Sequence, residues 1–231
     1  MISLEEAREL VLSQVAPLPV ETVGLLDAVG RVAADDLKSD IDVSPFAHSA
    51  MDGFALHAAE LEGATAEAPV EMDVIAEIAA GETYEGPIEE GQCVRIMTGA
   101  PLPEAADSVV KYEIVSVVSG DGKPGSRVAF DAPTKLGSNV RQAGEEAKAG
   151  EVVVSSGEIV GSAGAGFLAG CGIIEVPVYR RPRVAIIAIG SELVDPTDMP
   201  TPGKIRNSNS YAMAACAREA GAEAHMLPIV Q

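Results

Sequence analysis

With 231 residues the chain is long for one ordinary domain, and two or three domains are expected. Hydrophobic residues make up 47% of it, but aromatics are few and Trp is absent, so its cores must rest on Val, Ile, Leu and Ala. A formal net charge of −19 argues against nucleic acid and anionic membranes as partners, and obliges any phosphorylated ligand to find a local Arg or Lys cluster, a helix N-terminus or a divalent cation.

Cys93, Cys171 and Cys216 are odd in number and far apart, which predicts neither a disulfide framework nor a zinc site and fits a reducing compartment. The acidic start, Met1-Ile2-Ser3-Leu4-Glu5-Glu6, lacks a signal-peptide core, and no stretch reaches the length of a membrane helix. A cytoplasmic location is expected.

In chain order, Ser3 and Glu6 have capping-box spacing, and Ala7, Leu10, Val11 and Val15 follow at helical intervals, which predicts a packing helix ended by Pro17 and Pro19. Val20 to Leu26 reads as a strand, Asp27 to Arg31 as a turn or short helix, and Asp40 to Pro45 as an extended connector. An apolar strand, Phe54 to Leu56, follows the loop Pro45 to Gly53. Val70, Met72 and Val74 alternate with acidic residues, as in a half-buried strand. Further strands are expected at Cys93 to Met97, Ser108 to Tyr112, Ile114 to Val118 and Arg127 to Phe130, the last two joined by the turn Ser119 to Gly125.

Asn139 to Glu146 reads as a polar loop and Glu151 to Val154 as a strand. Ile159 to Ala169 is small and apolar, a buried helix ended by Gly170 or Gly172, and Ile173 to Val178 is another strand. After a basic hinge, Arg180-Arg181-Pro182-Arg183, the texture changes. Val184 to Ile189 is continuously apolar, as in a parallel strand covered on both faces. A helix of about Tyr211 to Ala220, capped by Asn209 or Ser210, leads to a returning strand, Ala222 to Val230. This βαβ unit opens a doubly wound domain, and because two strands and one helix cannot cover their faces, the chain is expected to be a fragment of a longer protein.

Four polar loops adjoin apolar strands: those around Asp52, Thr98, Arg141 to Glu146, and Glu192. Carboxylates with a hydroxyl and an Arg suit the joint holding of Mg²⁺ and phosphate. A dinucleotide fold is excluded at Gly190-Ser191-Glu192, which lacks the G-x-G-x-x-G spacing and sets an acid where a pyrophosphate would lie. No Walker motif or G-x-S-x-G elbow is present.

Four stretches, in order, resemble one family. They are Ser49-Ala50-Met51-Asp52-Gly53; Ile96-Met97-Thr98-Gly99-Ala100-Pro101-Leu102-Pro103 with Asp107 to Val110 and Glu113; Asn139-Val140-Arg141 with Gly144-Glu145-Glu146; and Arg181-Pro182-Arg183-Val184 through Gly190-Ser191-Glu192-Leu193. Together they resemble the amino-terminal half or so of the molybdopterin molybdenumtransferases, the MoeA and gephyrin E-domain family. The resemblance implies insertion of molybdate into adenylylated molybdopterin with release of AMP, with Mg²⁺ as cofactor. Carried over position by position, Asp52, Thr98 and Glu192 are catalytic, Arg141, Glu146 and Ser49 bind substrate, and Asp52 and Glu192 are metal ligands. The chain departs from the family where Glu146 replaces a usual Asp, Ser191 a frequent Asp, and Asn207-Ser208-Asn209 a stretch that commonly starts with an acid.

The implied fold is a mixed, β-rich multidomain α/β architecture, an elongated MoeA-like homodimer with an incomplete doubly wound domain of molybdopterin-binding type. By analogy residues 1–20 with 176–231 form that domain, 21–41 with 139–175 a small β-rich domain, and 42–138 an inserted mixed α/β domain. Expected partners are adenylylated molybdopterin, molybdate, a second copy of the chain and the molybdopterin adenylyltransferase. The 231-residue chain is expected to dimerise without inserting molybdenum. A rival expectation is a non-catalytic scaffold or partner-binding module of the gephyrin type.

Overall fold

A computed structural model describes residues 2–230 of the chain. The first helix, α1 (Leu4–Ser13), starts as its sequence requires: the Ser3 hydroxyl accepts from the Glu6 amide and the Glu6 carboxylate accepts from the Ser3 amide. No residue of α1 is buried, so its apolar stripe is unlike that of the packing helix the sequence predicts. Then come β1 (Val20–Gly24), a single turn of helix α2 (Leu25–Ala28) and the short β2 (Leu37–Lys38).

The middle of the chain is built from strands: β3 (His48–Ser49), β4 (Gly53–Leu56), β5 (Val70–Ile78), β6 (Gln92–Ile96), β7 (Ser108–Lys111), β8 (Ser116–Ser119), β9 (Arg127–Phe130) and β10 (Val140–Arg141). A 3₁₀ turn at Tyr112–Ile114 delays β8 by two residues relative to the sequence expectation. The last part holds β11 (Val152–Val154), α3 (Ser162–Gly170), β12 (Glu175–Tyr179), β13 (Arg183–Ile186), β14 (Leu193–Val194), β15 (Ile205–Arg206), α4 (Asn209–Glu219) and β16 (Glu223–Met226). Among the described residues no helix is long and apolar enough to cross a membrane.

The chain divides into two compact units, one from Ser39 to Glu151 and one made of the residues up to Lys38 with those from Val152 on. The continuous unit is a six-stranded mixed sheet in the order β7-β4-β6-β5-β9-β8, parallel only between β5 and β6. Side chains alternate across its pleat. Phe54 and Leu56 of β4 join Met72, Val74, Cys93, Val128 and Phe130 in one core, while Ala55 between them joins Ile78, Val94, Ile96 and Val109 in a second. All of β4 is buried, because β6 and β7 flank it and apolar residues cover both faces.

The discontinuous unit has a third core, in which Ala28, Ala33, Leu37, Val160, Leu168, Val176 and Val178 pack together under the antiparallel β1–β12 ladder. Here α3 corrects the sequence reading. It begins at Ser162 instead of Ile159 and buries only Ala165 and Leu168, since its glycines offer little surface to bury. In the same unit β13 and β16 pair in parallel around α4, as the βαβ reading requires. Among the described residues, coverage on both faces is not found. β13 ends at Ile186, and Ile187 and Ile189 are 55% and 75% exposed. An apolar run states what a strand seeks to bury, not what stands beside it. The helix cap also differs, because the Asn207 side-chain oxygen, instead of Asn209 or Ser210, accepts from the Ser210 amide at 3.2 Å.

Candidate functional site

Three of the four polar loops meet in the continuous unit, and backbone hydrogen bonds join them. β3 lies between the other two. On one side it pairs with β10, Ser49 opposite Val140 and His48 opposite Arg141. On the other side the Ser49 amide donates to Ala100 O at 3.0 Å, the Gly99 amide to Ser49 O at 2.8 Å and the Leu102 amide to Ala47 O at 2.8 Å. The Ala50 amide donates to Asn139 O at 2.9 Å. Asn139 adopts a left-handed conformation, φ 54°, which Asn tolerates better than most residues.

Asp52 is the last residue before β4, and Gly53 after it has a steric duty. A Cβ there would run into the Val110 carbonyl of β7 and stand 2.9 Å from its carbon. Glycine lets β7 approach the loop this closely. The Tyr112 amide then donates to Asp52 O at 2.9 Å, which fixes the backbone from which the carboxylate projects.

The Asp52 carboxylate and Thr98 meet across this frame. Asp52 Oδ1 accepts from the Thr98 amide at 2.8 Å and from the Thr98 hydroxyl at 2.7 Å. Two donors favour the ionised form, so the Asp52 pKa falls below its ordinary value. The Thr98 amide contributes most, then its hydroxyl; burial opposes them, and the Arg95 charge adds the least. Arg95 is itself held, donating from Nη1 to Gly122 O at 3.1 Å and lying 5.0 Å over the Tyr112 ring.

The other sequence candidates fall in varied settings. Ser49 is fully buried, and its hydroxyl donates to Met51 O at 2.6 Å, within the turn that carries Asp52. Arg141 is exposed and its Nη1 lies 3.3 Å from Glu145 Oε1, so Glu145 and not Glu146 is its ion-pair partner. Glu146 projects an exposed side chain, while its amide donates to Val43 O at 3.1 Å. Glu192 belongs to the discontinuous unit, on the wall of a 390 Å³ cavity with Ile186, Asn207, Ser210 and Met213 at the carboxyl end of β13. Its carboxylate folds back over Gly190.

Among the described residues no group of three or more His, Cys, Asp or Glu side chains could hold a metal ion. Within the continuous unit Asp52 therefore offers a hard cation one carboxylate, with water and ligand oxygens as the remaining ligands. Sequence reasoning did not find the supporting roles of Arg95, Tyr112 and Asn139. Only the position of Asn139 beside the Val140-Arg141 pair gave a signal, and that was of a motif without a stated duty.

Comparison with known proteins identifies the family that this chain resembles. A sequence model described as the MoeA N-terminal region (domain I and II) matches residues 2–172. A molybdopterin molybdenumtransferase of Bacillus subtilis is 41% identical over 202 residues, covering 87% of this chain and 46% of the relative. One from Staphylococcus epidermidis is 36% identical over 228 residues, covering 99% and 53%. A crystal structure of a molybdopterin biosynthesis moeA protein from Pyrococcus horikoshii superposes with a TM-score of 0.88 at 30% identity, over all of this chain and 60% of that one. The chain spans about half the length of the curated relatives it matches.

Proposed function

This chain belongs to the MoeA N-terminal region family, and on that premise we propose that it carries part of a molybdopterin molybdenumtransferase site, which inserts molybdate into adenylylated molybdopterin and releases AMP. The observation that carries this reading is the Asp52–Thr98 pair, in which a loop from the first motif and a loop from the second converge on one ionised carboxylate. Asp52 fits Mg²⁺ in the way that ion prefers, through one carboxylate completed by water and substrate phosphate oxygens. When bound, Mg²⁺ would neutralise charge on those oxygens. Thr98 keeps the carboxylate ionised and aimed, and Arg141 of the adjoining loop provides a guanidinium suited to an oxyanion. Glu192, Glu146 and Ser49 remain proposed participants, with Ser49 acting through the turn that presents Asp52.

The partners that go with this reading are adenylylated molybdopterin, molybdate, a second copy of the chain and the adenylyltransferase that makes the substrate. The three-part division at residues 20, 41, 138 and 175 is likewise a proposal. The test is AMP release from adenylylated molybdopterin with molybdate and Mg²⁺ present, by the protein that carries this chain. Asp52→Asn is expected to retain the fold and lose most of the release. Turnover at the wild-type rate would remove Asp52 from the mechanism.

A further inference from the structure

The continuous unit carries a groove of 770 Å³ that neither Asp52 nor Thr98 lines. One wall is the segment Thr83 to Pro87, and the other is Pro101 to Ala105, where the chain leaves the second motif. Burial alternates along the first wall: Thr83, Glu85 and Pro87 are exposed, Tyr84 and Gly86 are half-buried, and Ile88 just beyond is buried.

The aromatic of this groove is held in place. Tyr84 packs with Leu102 and Ala105 against the second core, and its hydroxyl donates to Pro87 O at 3.0 Å. The ring lies back over Gly86, where a Cβ would stand 2.5 Å from the Tyr84 hydroxyl oxygen and 2.6 Å from the ring carbon that bears it. Glycine there lets the segment fold its own tyrosine across itself. Tyr84, Pro87, Pro101 and Leu102 thus form a pre-set apolar surface, and none of the four is buried.

The polar groups around that surface are uncommitted. Among the described residues the amides of Thr83, Tyr84, Glu85 and Gly86 donate to no backbone carbonyl. Glu85 and Glu104 stand exposed on the rim without an ion pair among the described residues, whereas Glu71, Glu77 and Glu145 each pair with an arginine. No lining residue is basic, so the groove repels the phosphates of the reaction proposed above. Acidic surface is common in a chain of net charge −19, and what distinguishes this place is acid beside a fixed tyrosine and two prolines. Such a surface suits a polyproline II ligand, whose prolines lack amides and offer carbonyls to the host's free donors.

We propose that this groove docks an extended, proline-containing basic segment of another protein, with its prolines on Tyr84 and Pro101 and its arginines or lysines on Glu85 and Glu104. The inference stands apart from the proposed function, because it uses neither the Asp52–Thr98 pair nor a phosphorylated ligand.

The test is a ¹⁵N NMR titration of the 231-residue protein with a proline–leucine repeat peptide flanked by arginines and, separately, with the same repeat flanked by glutamates. The arginine peptide is expected to shift the Thr83, Tyr84, Gly86, Leu102 and Ala105 signals at about 0.1 mM, and less so as salt is raised. The glutamate peptide should leave them in place. Glu85→Gln combined with Glu104→Gln should weaken binding about tenfold and flatten its salt dependence. Gly86→Ala, whose methyl group meets only the Tyr84 side chain, should turn the ring aside and abolish binding while signals distant from the groove stay put. Asp52→Asn should bind the peptide as wild type does, so that the groove and the proposed reaction fail separately. The inference is overturned if neither peptide moves these signals, if both move them equally, if the shifts centre elsewhere, or if the double glutamine variant binds as tightly as wild type. It is also overturned if the same signals move on dilution without peptide, which would place a second copy of the chain in the groove.

Discussion

The continuous and discontinuous units use similar residues in opposite ways. In the first, β4 is buried along its whole length between β6 and β7, and the loops before β4 and after β6 meet at Asp52 and Thr98. In the second, the more apolar stretch from Val184 to Ile189 has a single parallel neighbour among the described residues, and its later isoleucines face solvent. The candidate-site loops in the first unit are thus anchored on a sheet that is already closed on both faces. The comparison teaches that the hydrophobicity of a strand and the rigidity of the loop it carries are separate properties. Rigidity comes from neighbours on either side, and it depends on pairing as much as on composition.

The largest expected effect probes that difference directly. Phe54→Ala leaves a cavity in the first core and should cost about 3–5 kcal/mol, whereas Ile187→Asp, at an exposed position, should cost less than about 1 kcal/mol. Urea unfolding of the two variants measures both. Equal losses would show that the two units do not differ in coverage as described.

A smaller effect is expected at Gly53. A methyl group there meets a backbone carbonyl, which cannot rotate away, so Gly53→Ala should cost about 1–3 kcal/mol by parting β4 from β7. The same change should loosen the loop, visible as faster amide exchange at Thr98. Wild-type exchange at Thr98 in a destabilised Gly53→Ala protein would separate sheet closure from loop rigidity and weaken the comparison.

Thr98→Ala gives the smallest effect and sharpens the account of the pair. It removes the hydroxyl bond and leaves the amide bond, so about 1 kcal/mol at most is expected once the exposure of the pair is allowed for. The sign with pH follows from the lowered Asp52 pKa. The carboxylate's stabilising contribution is fully present above the ordinary value of 3.8 and is lost as pH falls through the lower folded value. Stability measured on both sides of that range should therefore depend less on pH in Thr98→Ala than in wild type. An unchanged dependence would assign the lowered pKa to the Thr98 amide and Arg95 and not to the hydroxyl.

Much of the layout was legible in the chain. The capping box at Ser3 and Glu6, the strand Arg127–Phe130 and the βαβ unit around α4 follow from local rules, because caps, alternation and turn residues act over a few positions. The candidate site residues were named by motif, but their arrangement was not. The motif match does not say that Arg141 pairs with Glu145, or that Ser49 turns its hydroxyl inward to Met51, because it names residues and not the rotamers that their neighbours select. Arg95 belongs to a strand whose alternation reveals a face but not the loop at that face's end.

By itself the sequence determined the class of the elements, the order of the four loops and the identity of the carboxylate on which two of them converge. Those depend on backbone conformation and side-chain chemistry within short spans, where the chain's own periodicity is the governing constraint. Only the tertiary structure decided that Gly53 is needed for the approach of Val110, that β3 is held between the second and third motifs, and that Ile187 and Ile189 are exposed. Each of these is set by residues dozens of positions away. A buried position is defined by what arrives to cover it, and no local pattern carries that information.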